Sequence, residues 1–294
     1  SAHYEMGSVF KSFTVAAGID TGRADMNTLF DASQALQIGK RRITDFHATN
    51  KVLTLEEVYL HSSNIGTSRL AVEMGGDVMR DYFRRLGLLD AAPIELKESA
   101  APPKVRKWDD STLASLSFGY GIMVTPIQYV AAYGALVNGG RYVPPTLRKG
   151  GRPNAQTHQV ISPETSANMI DLMRRNVTRG SGRFADAPGL RVGGKTGSAN
   201  KLVNGRYNPA VAVGSFAGVF PADGPVDAKR YTVFVLMDEP GVYPRTGGYV
   251  AAPAVGRIAD RIAGFLGVER KADRWSTALG EKIPEFQDVE GDGR

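Results

Sequence analysis

After Gly180 the chain changes texture. Three β-rich segments, 191–199, 210–220 and 231–237, follow one another with only turns between them. Val203-Asn204-Gly205-Arg206 reads as one hairpin connection and 221–229 as the next. Strands joined this closely run antiparallel, because a parallel return needs a crossover of a dozen residues or more. Everything before Gly180 is helical or irregular, and Tyr249 to Leu266 reads as a final amphipathic helix. The order of helices, then strands, then a helix predicts an α+β fold rather than an alternating βα one.

Residues 7–18 are expected to form the first helix, with Val9, Phe10, Phe13, Ala16 and Ala17 on its apolar face. Residues 20–53 show no clear period and read as an irregular loop region. Helical turns are expected at 55–60, then short amphipathic helices at 65–74 and 78–86. Pro93, Pro102 and Pro103 make 91–107 a surface connection. Thr125-Pro126 opens a helix that stops at Asn138-Gly139-Gly140, and Ser162-Pro163-Glu164 opens another running to about Val177. Residues 1–267 are read as one domain and 268–294 as a fraying C-terminal tail.

Composition removes several function classes. The chain has no cysteine, so a disulfide scaffold, a cysteine-ligated metal and a cysteine nucleophile are excluded. The net charge is +6, but the densest basic spot is only Gly39-Lys40-Arg41-Arg42. Without a basic stripe interleaved with aromatics, nucleic acid is not an expected partner. The apolar stretches fall short of the ~18 residues of a membrane span. There is no Gly-x-Ser-x-Gly elbow, His-Glu-x-x-His pair, phosphate-cradling loop or calcium loop. His61 adjoins Ser62, but neighbours in sequence project in different directions and rarely form a nucleophile–base pair.

Ser8-Val9-Phe10-Lys11 places a hydroxyl and an amine one helical turn apart, on one face. A serine at a helix N-terminus lies where backbone N–H groups stabilise negative charge. A lysine one turn on takes the serine proton if burial or a second cation lowers its pKa. Ser198 and Lys201 repeat the spacing inside a predicted strand, where an odd offset sends the side chains to opposite faces. Ser62-Ser63-Asn64 is a Ser-x-Asn triplet. Lys195-Thr196-Gly197 sits behind Gly193-Gly194 in a predicted strand, where glycines admit a close backbone or ligand.

Ser-x-x-Lys, Ser-x-Asn and Lys-Thr-Gly, in that order and on those elements, resemble the three-part set of serine acyl-transferring enzymes that react with penicillin. The stretches 4–11, 62–66 and Ser117-Phe118-Gly119-Tyr120-Gly121-Ile122-Met123-Val124-Thr125-Pro126 further resemble the class B, division-specific peptidoglycan D,D-transpeptidases of the FtsI type. The resemblance runs from Tyr4 to about Leu266. It implies a β-lactamase/transpeptidase-like fold, an antiparallel sheet flanked by helices plus an all-helical lobe. It also implies a D-alanyl-D-alanine stem-peptide substrate and covalent inhibition by β-lactams, with neither metal nor cofactor.

By that resemblance Ser8 is the nucleophile and Lys11 its base, Ser62 relays the proton, and Lys195 adds positive charge. Asn64, Thr196, Gly197 and Ser198 bind substrate, and the backbone N–H groups of Ser8 and Ser198 form the oxyanion hole. It further implies a single-pass inner-membrane anchor upstream, a periplasmic catalytic domain, and an FtsW-type glycosyltransferase among division-site partners. Two alternatives use related machinery: a D,D-carboxypeptidase or β-lactamase, and a β-lactam sensor that acylates once. Against the hydrolase, Glu164-Thr165-Ser166-Ala167-Asn168 carries the spacing of a deacylating glutamate loop, but it lies far beyond Ser-x-Asn and reads as a helix start. Against the sensor, the chain carries no membrane signalling segment.

Two residues depart from the family pattern: Met6 stands where proline is usual, and Ser198 where threonine is. The family's sheet is completed by two strands before the nucleophile helix, and the residues ahead of Ser8 are too few for two strands. The chain is therefore expected to be a fragment lacking those strands. The strand at 231–237 should then be an edge, exposed or covered by a loop or another chain.

Overall fold

In the computed structural model, which describes residues 2–150 and 156–272, Ser8 lies in a 3-10 turn, Gly7–Phe10, that runs directly into α1 (Lys11–Asp20). The nucleophile candidate thus sits in tighter backbone than the single α-helix expected over 7–18. Residues 20–53 are not irregular throughout. They hold β1 (Leu29–Asp31), β2 (Leu36–Ile38), β3 (Arg41–Ile43) and β4 (Val52–Thr54), paired β1–β4 and β2–β3. Strands of three residues are too short to display a period of two.

A helical lobe follows, with α2 (Leu55–Leu60), α3 (Asn64–Met74), α4 (Gly76–Arg85), α5 (Asp110–Leu116) and α6 (Pro126–Leu136). The short strands β5 (Arg141–Tyr142) and β6 (His158–Gln159) pair beneath it, and α7 (Pro163–Arg179) closes it. The expected caps are in place: Thr125 with Gln128 forms a capping box on α6, and Ser162 accepts from the Thr165 N–H on α7. Glu164 therefore belongs to the first turn of a capped helix.

The sheet is antiparallel, in the order β7 (Gly193–Val203), β8 (Arg206–Phe220), β9 (Tyr231–Asp238). It separates two cores. On one side Ala217 and Val219 meet the helical lobe. On the other, Phe216 and Phe220 meet α8 (Gly247–Val250) and α9 (Ala252–Leu266). β9 pairs with β8 alone among the described residues, so it is the edge expected from sequence. Residues 269–271 of the expected tail are tied down: Arg191 donates to the Glu269 carbonyl and the Lys271 N–H donates to Gly189. The tail from residue 273 lies outside the described residues. Among the described residues no helix is long and apolar enough to cross a membrane.

Candidate active site

The three motifs meet because backbone packs on backbone. Gly7 has φ +62°, and a Cβ there would lie 2.5 Å from the Ser198 carbonyl oxygen. Gly119, φ +83°, presses in turn on the Gly7 carbonyl. Glycine is needed at both positions for the left-handed φ and for the missing side chain. β7 is thereby laid along the turn that carries Ser8, with Gly197 against Val9 and the Met6 carbonyl. Met6 is itself buried, so its side chain anchors the approach to the turn.

Lys11 is fully buried, and its Nζ donates to Ser62 twice, to the carbonyl and, at 3.0 Å, to Oγ. Both acceptors face it because Ser62 holds a left-handed backbone, φ +58°, sparsely populated for a non-glycine residue. Burial, and then the charge of Lys195, push the Lys11 pKa well below the usual amine range, while Asp45 opposes them. Lys195 is also fully buried, and burial brings it down to about 7. Its Nζ has no hydrogen-bond partner among the described residues. A buried pair of amines of this kind is poised to hold one proton more readily than two.

The remaining predicted residues hold these contacts. Thr196 is nearly buried, and its hydroxyl lies 2.9 Å from that of Ser181. Ser198 is exposed, and its Oγ accepts from the Gly247 N–H at 3.0 Å, leaving its own proton free to donate. Asn64 opens α3 and donates from Nδ2 to the Thr44 carbonyl. Lys201, the second Ser-x-x-Lys match, is committed to ion pairs with Asp238 and Glu239.

Several supporting residues carry no local sequence signal. Asp45 accepts from Ser63 Oγ at 2.7 Å and from the Ile65 N–H at 3.0 Å, so it holds the N-terminus of α3 from another segment. Ser181 joins Thr196 to Asn176 of α7. Tyr120 accepts from the Asn200 N–H, and Glu5 accepts from the Gly121 N–H and from Tyr207. Glu5 thereby ties the approach to Ser8 to the β7–β8 hairpin, and burial raises its pKa. All but the Ser181–Asn176 contact join residues far apart in the chain, so motif reading does not give the contacts even where, as at Glu5 and Tyr120, it singles out the stretch. Among the described residues no cluster of three His, Asp or Glu could hold a metal ion.

A hydroxyl on a tight turn, a buried lysine of lowered pKa bonded to a second serine, and a second buried lysine on the strand alongside have the make-up of the serine acyl-transfer sites of penicillin-reactive enzymes, in an α+β fold. The chain belongs to the penicillin-binding protein transpeptidase domain family, whose description matches residues 1–260. It is 50% identical over 292 residues to the probable peptidoglycan D,D-transpeptidase FtsI of Caulobacter vibrioides, covering 95% of this chain and 49% of that protein. It is 32% identical to the peptidoglycan D,D-transpeptidase FtsI of Escherichia coli, covering 92% and 45%. The chain thus spans about half the length of these curated relatives. Among solved structures it is similar to the transpeptidase domain of Burkholderia pseudomallei penicillin-binding protein 3, with a TM-score of 0.83 and 30% identity over 93% of this chain and 82% of that one.

Proposed function

We propose that the chain is the catalytic domain of a septal peptidoglycan D,D-transpeptidase. Ser8 Oγ attacks the penultimate carbonyl of a D-alanyl-D-alanine stem peptide. An O–C bond forms as the C–N bond breaks. The serine proton passes to Lys11 and, by way of Ser62, to the departing D-alanine amine. An amine from a second stem peptide then takes the acyl group and restores Ser8. Lys195 attracts the substrate carboxylate, which the Thr196 and Ser198 hydroxyls bind beside Gly197, and Asn64 holds the stem-peptide amide. The Ser8 and Ser198 N–H groups take the oxyanion, each worth about 3–4 kcal/mol of barrier.

The observation that carries this reading is the buried Lys11, hydrogen-bonded to Ser62 and depressed by burial and Lys195. Its partners are a carbonyl and a hydroxyl with no carboxylate among them, so Lys11 can shed its proton and act as a base. The names of the FtsI relatives support the septal role. An upstream inner-membrane anchor, a periplasmic setting and an FtsW-type glycosyltransferase partner belong to the same proposal, as does the division into a domain at 1–267 and a tail at 268–294.

Mass spectrometry after incubation with benzylpenicillin tests the assignment. One intact adduct per chain, mapped to Ser8 and absent in Ser8→Ala, is the expected result. Labelling elsewhere overturns it, and rapid turnover of a chromogenic cephalosporin would favour a β-lactamase.

A further inference from the structure

Lys195 poses a problem that its hydrogen bonds do not solve. Its ammonium is fully buried and its Nζ has no hydrogen-bond partner among the described residues. A buried charge without compensation is expensive, and the usual outcome is loss of the proton. The proposed chemistry needs the opposite, since a neutral Lys195 would neither bind a carboxylate nor depress Lys11. What lies next to Nζ is the ring of Tyr59, 5.5 Å from Nζ to its centroid. Tyr59 is in α2, next to the Ser62 turn, and is fully buried. Its hydroxyl is held by Ser12 of α1 at 2.8 Å, which fixes the ring plane.

We propose that Tyr59 is a positioning residue: the face of its ring, offered to Lys195 where both side chains are buried, keeps that lysine cationic. The proposal rests on the transpeptidase reading for its consequence, though not for its geometry. A ring quadrupole attracts a cation within about 6 Å, most strongly where both are desolvated. Other charged groups near this strand have interactions of their own among the described residues. Lys11 repels Lys195 from α1. On α7, Arg174 pairs with Asp186, and Arg175 with Glu56 and Asp171, while Arg179 pairs with Glu56. Tyr133 of α6 donates to the Ala217 carbonyl. Asp45 acts on Lys11, and α8 carries no charged residue.

The test reads Lys195 itself, by NMR titration of 13C-labelled lysine side chains in the unacylated protein, with the signal assigned by its loss in Lys195→Arg. Tyr59→Phe keeps the ring and should leave the Lys195 midpoint within about 0.2 of a pH unit. Tyr59→Leu removes the ring, and replacement by pentafluorophenylalanine keeps the shape while reversing the quadrupole. Both should lower the midpoint by about half to one pH unit. Thermal melting shows which variants are folded, and the fluorinated ring serves if leucine is not tolerated. An unchanged midpoint with the fluorinated ring overturns the inference. So does an equal drop in Tyr59→Phe, which would place the effect in the hydroxyl. Neither outcome depends on acylation at Ser8, so failure here and failure of the transpeptidase reading are separable.

Discussion

Lys11 and Lys195 are two amines placed where only one proton is comfortable, and their separate fates set the expected pH dependence. A lysine is charged below its pKa and neutral above it. Acylation of the free protein should therefore rise with pH as Lys11 sheds its proton, and fall as Lys195 sheds its own near about 7. Lys195→Arg should remove that alkaline limb, because a guanidinium stays charged across the range. Stopped-flow acylation by a reporter β-lactam from pH 5 to 9 measures both. Lys11→Arg should slow acylation by about 10³-fold or more with the fold retained, since arginine carries the charge but cannot accept the proton. Near-normal acylation in that variant would reduce Lys11 to an electrostatic part. At Ser198, threonine should change little, because the hydroxyl persists. Ser198→Val should weaken acylation by about tenfold, and it also leaves the Gly247 N–H without its acceptor, a cost of about 1–3 kcal/mol where buried. Equal activity in both would leave only the backbone N–H of Ser198 as a ligand.

At the scale of elements, the capped helices α6 and α7 and the strands β7, β8 and β9 were legible in the sequence, because Thr-Pro, Ser-Pro and Asn-Gly are local signals read within a few residues. The four short strands between residues 29 and 54 were not. Their pairings close across the chain, and three residues cannot show alternation. Yet that segment carries Asp45 and Thr44, which hold the Ser-x-Asn turn in position. The motif was thus visible and its support was not. Asp45→Ala should expose the difference. It removes acceptors from Ser63 Oγ and the Ile65 N–H, frees the entry to α3 and loosens the left-handed Ser62. We expect a loss of about 1–2 kcal/mol of stability, as for a lost helix cap. Acylation should fall about 10- to 100-fold, because a small misplacement of a catalytic group costs about that much. Unchanged acylation with lowered stability would make Asp45 a structural cap only.

On the scale of the whole molecule, the sheet is a partition between two cores, and β9 is where the partition ends. Phe234 and Leu236 pack toward the helical lobe, while Tyr231, Val233, Val235 and Met237 pack toward α9. Both faces of the strand are thus used, and only its outer backbone edge is unpaired among the described residues. Natural edges are blunted by an inner charge, a proline or a bulge. Tyr231 to Met237 has no charge or proline, and its pairing with β8 runs without a register shift. Two measurable consequences follow from the same feature. Amides across 231–238 should fall into two alternating classes of hydrogen exchange, slow where they donate to β8 and fast where they face outward. The isolated chain should also associate through this edge as concentration rises. In sedimentation, its average mass should climb above the 31.6 kDa of one chain, and Thr232→Lys, which places a cation on the strand near its start, should suppress the climb. A mass that stays at one chain throughout, with uniformly slow exchange across the strand, would mean that the edge is covered after all.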